Sequence, residues 1–105
     1  MRQVDIFKKA GVFAENKDIA RDIRLKEIIP ALDKKEPIML NFERVGSTTQ
    51  SFIHALISDA IRKYGNNSLD EITFKGCNKN IQQIIKIVVE YMQDGINNGM
   101  DDKKT

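Results

Sequence analysis

Between residues 38 and 64 a short apolar run, IMLNF, passes through a polar, hydroxyl-rich segment, ERVGSTTQ, into SFIHALISDAIRKY. No other stretch constrains the fold as strongly. In 38–42 only Asn41 is polar, which suits a strand covered on both faces. Ile53, Leu56, Ile57, Ala60, Ile61 and Tyr64 then recur at steps of three and four, the helical period, and Gly65 stands where a helix commonly ends. The spacing predicts a strand–turn–helix unit whose turn carries several hydroxyls to a helix N-terminus.

The flanking sequence extends this unit into a layered α/β pattern. Residues 3–6 alternate weakly and predict a first strand; 8–11 resemble a turn, and 12–14 a short returning strand, the two forming an edge hairpin. A helix is expected from Asn16, its cap, through Ile19, Ile23, Leu25, Ile28, Ile29 and Leu32, with a kink or early end at Pro30. Beyond Gly65 the pattern predicts a loop over 66–70 and a brief strand over 71–74 with Ile72 and Phe74 on one face. A last helix, capped by Asn78 or Asn80, carries the stripe Ile81, Ile84, Ile85, Val88, Val89 and Met92 and ends near Gly95. Its β-branched content means that burial, not propensity, holds it helical. If 38–42 and 71–74 pair in parallel, the helix between them is a crossover. The expected fold is α/β: a small mixed sheet with about three helices packed on it, one domain over 1–96 and a polar tail over 97–105.

Composition narrows the function. A chain of 105 residues is about one domain. Net charge is only +2, from 17 basic and 15 acidic residues interspersed along the chain, so no concentrated basic face points to nucleic acid. Cys77 is the single cysteine, which excludes an intrachain disulfide and favours a reducing compartment. No run approaches the ~20 apolar residues of a membrane span. The first residues, MRQVDIFKKAG, lack the apolar core of a signal peptide. The chain reads as cytoplasmic, without membrane or nucleic-acid partners.

The candidate site is the turn itself. Ser47, Thr48, Thr49 and Ser51 lie where an added phosphate would meet free amides and the positive end of a helix dipole. The plainer reading makes them turn and cap residues, with Thr49 or Gln50 near the cap. His54 sits off the apolar stripe, three and four residues from Ser51 and Ser58, with no acid in the pattern to complete a triad. One Cys and one His do not make a zinc site, and no Gly-rich phosphate loop is present. Phe52 and Ala55, just off the stripe, read as core in preference to a contact surface. No catalytic residue, metal or cofactor is assigned.

The stretch IMLNFERVGSTTQSFIHAL resembles the strand, acidic residue, Gly-Val, Asp-Ser-Ser-Gly, helix stretch of STAS domains, the anti-sigma-factor antagonists and transporter regulatory domains. Laid together without a gap, Asn41 falls on the strand-end Asp, Val45 on the Val and Ser51 on the second Ser. The closer likeness is to the STAS-like family catalogued as a domain of unknown function. It rests on Ile29-Pro30-Ala31-Leu32, the strand 38–42 and Gln50-Ser51-Phe52, and spans roughly residues 3 to 92. The resemblance implies a bacterial regulatory module with no enzymatic activity, working by protein–protein contact at the turn and helix start over 43–55. Its implied partner is another protein, such as a kinase-like or regulatory ATPase, and a homodimer is a further expectation. In antagonists the first Ser of the pair is phosphorylated; here Gln50 stands there, with Thr49 in place of the Asp, so that switch has no acceptor at that position. The alternative expectation is a small-molecule or nucleotide-binding regulator using the same hydroxyls.

Overall fold

The computed structural model describes residues 1–97. Their order is β1 (Arg2–Asp5), α1 (Ile6–Ala10), β2 (Phe13–Ala14), α2 (Lys17–Ile23), a π-helical turn (Arg24–Ile28) and α3 (Ile29–Asp33). Then come β3 (Ile38–Asn41), β4 (Ser47–Thr48), α4 (Gln50–Tyr64), a 3-10 segment (Asn66–Glu71), β5 (Ile72–Lys75) and α5 (Lys79–Asn97). The α/β pattern read from the sequence is the one the chain adopts. Residues 98–105, and with them nearly all of the tail read over 97–105, lie outside the described residues.

β3 is the middle strand of a three-stranded sheet in the order β1–β3–β5, parallel throughout; β2 and β4 form a second, two-stranded parallel sheet. The expected hairpin, which would have made the sheet mixed, is corrected by α1. Asp5 Oδ1 accepts from Lys8 N at 3.1 Å, and Gly11 N donates to Phe7 O at 2.8 Å. Residues read as a tight turn are therefore a capped helical turn, which carries the chain off the sheet so that it cannot return beside β1. With the short α1 and α3 there are five α-helices among the described residues, where about three were read.

β3 earns its central place by composition: Ile38 and Leu40 are fully buried, and Phe42 just beyond keeps the pairing with N–H donating to Lys75 O at 2.7 Å. The parallel pairing of β3 with β5 makes α4 the crossover helix. Ile53, Leu56, Ile57, Ala60 and Ile61 of α4 are completely buried, each large side chain contributing about 1.5–3 kcal/mol by leaving water. On α5, Ile81, Val88 and Met92 face the same core. The helix runs past Gly95, the expected end, to Asn97. A helical glycine costs about 1 kcal/mol relative to alanine, too little to end a helix whose inner face is buried.

Pro30 does not stop its helix. The ladder widens one turn earlier into the π-helical segment, Ile29 N donating to Arg24 O, and α3 continues to Asp33. Proline has no N–H to give the carbonyl of residue 26. Arg2 substitutes from β1: its Nη1 reaches Lys26 O at 3.5 Å and Glu27 O at 3.3 Å, while the guanidinium also meets the carboxylates of Glu27 and Glu36. The inserted residue also shifts the helical phase, leaving Leu25 57% exposed although the sequence pattern placed it on the stripe. Arg24 ties the π turn to α4, donating to Ala55 O at 3.3 Å and pairing with Asp59 at 3.3 Å.

Candidate functional site: the turn before α4 and its flanking groove

After β3 the chain makes a compact excursion before entering α4. Asn41 Oδ1 accepts from Glu43 N at 2.9 Å, a side-chain turn that starts the reversal, and Val45 N donates to Phe42 O at 3.0 Å. Arg44 occupies a left-handed conformation with φ of 71°, its guanidinium 4.9 Å above the Phe7 ring. Gly46 N and Ser47 N then both donate to Val12 O, bringing the chain beside β2. Sequence reading missed β4 because two residues cannot display an alternating pattern.

That strand divides the predicted site. Thr48 faces inward, buried, with Oγ1 donating to Ala14 O at 2.7 Å across the small sheet. Thr49 is the N-cap of α4, its Oγ1 accepting from Phe52 N at 3.1 Å. Both hydroxyls are engaged within the fold, Thr49 as the helix cap that the plainer reading of the sequence expects. Ser47 is half-buried, Gln50 and Ser51 are exposed, and His54 is half-buried one turn along the helix. Phe52 is completely buried and belongs to the core. Thr48→Val therefore removes a buried donor from Ala14 O while preserving shape; the expected cost is about 1–2 kcal/mol, read as a lower urea midpoint.

Two further contacts fasten the turn. Asn78 caps α5 by accepting from Ile81 N at 2.9 Å, and the same side chain donates from Nδ2 to Gly46 O at 2.9 Å. Gly76, with φ of 72°, lies so close to the turn that a Cβ there would come within 2.8 Å of Glu43 N. The hydroxyl-bearing turn is thus held by β2, by the end of β5 and by the cap of α5.

Beside the exposed start of α4 runs a groove of about 430 Å³ toward α5, lined by Lys17, Ser51, His54, Ala55, Ile87 and Tyr91 among others. Sequence reading named Ser51 and His54 but not Lys17, Ile87 or Tyr91. The available signal was an apolar pair, Ile87 and Tyr91, four apart and off the buried stripe of α5. Among the described side chains the groove lining contains no carboxylate to orient His54, and Ser58 is buried in the core, so these residues do not assemble a triad. Among the described residues no group of three metal-ligating side chains gathers, and no helix is long and apolar enough to cross a membrane.

Cys77 lies away from this face, in a second groove beside Phe74 and Ile85. Burial disfavours its thiolate and pushes the thiol up to about 11 from an ordinary value of 9.0. Because the thiolate is the nucleophile, iodoacetamide labelling at pH 8 is expected to be markedly slower in the native protein than in urea, the gap closing as pH rises toward 11. Equal rates would show the thiol to be open to solvent.

A family model described as a STAS-like domain of unknown function (DUF4325) matches residues 20–82. The chain belongs to this STAS-like family. The matched stretch of the STAS-like chain begins within α2, includes β3, the turn, α4 and β5, and closes in the first turn of α5 just past the Asn78 cap. Ile87 and Tyr91 lie beyond it. No curated protein and no solved structure gives a significant match.

Proposed function

We propose that this STAS-like chain is a non-catalytic regulatory module that acts by binding another protein through the surface formed by residues 43–55. The observation that carries this reading is the division of labour in the turn. Thr48 and Thr49 are spent on the fold, while Glu43, Arg44, Gln50 and Ser51 stand exposed on a segment fastened from three sides. A surface held in one conformation loses little entropy when a partner seats on it. The partner class suggested by the likeness to anti-sigma antagonists is a kinase-like or regulatory ATPase. With Gln50 at the acceptor position, the contact operates without phosphoryl transfer there.

The alternative, a phosphate or nucleotide held by the hydroxyl-rich turn, is weakened because two of its four hydroxyls already have protein partners. Affinity capture from cells that carry the gene tests the first reading. Ser51→Glu and Gln50→Glu are each expected to reduce recovery of the partner about tenfold, because single contact residues near the centre of an interface exceed 1 kcal/mol. Both positions are exposed, so melting temperature should hold. Undiminished recovery in both variants contradicts the reading, and a thermal shift with millimolar nucleotide would move it to the alternative.

A further inference from the structure

α5 buries Ile81, Val88 and Met92 but leaves Ile87 and Tyr91 48% and 69% exposed. One helical turn apart, these two line the same groove as Ser51, His54 and Ala55. The opposite rim is Lys17, the first residue of α2, whose ammonium makes no ion pair among the described residues. Among the described side chains no carboxylate lines the groove, and the first turn of α4 at its edge holds no acidic residue. Among the described side chains the floor is apolar and the charged group on the rim is Lys17.

Building on the reading of 43–55 as a protein-binding face, we propose that this groove receives an acidic amphipathic helix of the partner protein. Its apolar side chains lie against Ile87 and Tyr91, and its carboxylates meet Lys17 and the amide end of α4. A helix suits the site because its backbone groups are already satisfied, so only side chains need be matched by the groove. The rim supplies the choice of charge: a basic helix would bring its cations against Lys17 and the positive end of the α4 dipole.

Photocrosslinking in cells expressing the full chain tests this. Benzoylphenylalanine is placed at Tyr91 or, separately, at Gln50, and the crosslinked peptide is sequenced. Both positions are expected to capture one protein. The Tyr91 adduct should map to a segment with apolar residues at steps of three and four and a net negative charge. A synthetic peptide of that segment should bind the purified chain, with Kd weakened about tenfold by Lys17→Glu and by Ile87→Ser. Both are exposed positions, and equal melting temperatures confirm that the fold is retained. Adducts at Gln50 with none at Tyr91 leave the 43–55 surface standing and overturn the groove; adducts at neither position overturn both. Capture of a basic segment, or of this chain itself, also overturns the proposal.

Discussion

Gly76→Ala is expected to destabilise the protein by about 3 kcal/mol, a loss out of proportion to one methyl group. Two costs combine. The residue sits at φ of 72°, where an L side chain is strained by roughly 1–2 kcal/mol. The added Cβ also falls 2.4 Å from Glu43 Cγ, 2.8 Å from Glu43 N and 3.1 Å from Glu43 Cα. The side chain of Glu43 can swing aside, but its backbone cannot retreat without lifting the turn from the end of β5. Overpacking of this kind typically adds about 1–3 kcal/mol. Urea unfolding should show the midpoint falling with the slope unchanged. A loss under about 0.5 kcal/mol would mean that the turn is not held against Gly76 as described.

Phe52→Ala is expected to cost about 3–5 kcal/mol, the range for emptying a buried aromatic site. Phe52 is completely buried at the start of α4, and its N–H is the group capped by Thr49. Against a typical stability of about 5–15 kcal/mol, the variant should be marginal and should bind its partner poorly for want of folded protein. Ser51→Glu next to it should do the reverse, keeping the fold and losing the partner. A stable Phe52→Ala variant with a specific binding defect would move Phe52 from the core to the contact surface.

These two positions also mark how far the sequence could be read. The unit from 38 to 64 was legible because its apolar residues obey a single period at a time, and Phe52, one step off the stripe, still read as core. The stripe of α5 and the Asn16 cap were legible for the same local reasons, while the α5 cap was narrowed to Asn78 or Asn80, of which Asn78 serves. What escaped depends on partners distant along the chain. Pro30 read as a kink or an early helix end because Arg2, which serves the carbonyl it leaves unpaired, comes from another strand. The parallel pairings of β1 with β3 and of β2 with β4 leave no mark on either segment alone. The need for glycine at residue 76 becomes visible only once Glu43 is placed beside it.

The candidate site was legible as a region but not in its parts. Four hydroxyls in a row invited one shared role. Because β4 turns successive residues to opposite sides, Thr48 goes into the core and Ser47 does not. A charge at Thr48 would therefore report on folding, whereas a charge at Ser51 reports on contact. The groove needed α5, which follows the turn by some thirty residues and carries Ile87 and Tyr91 on a face the dominant stripe hides.

The most direct test of the account is amide-shift mapping of the isotopically labelled chain titrated with its captured partner. Perturbed amides are expected to cluster in residues 43–47 and in the first two turns of α4, with the inner strand β3 little changed. Perturbations gathered instead on the outer face of α2 and α3, with 43–55 silent, would contradict it.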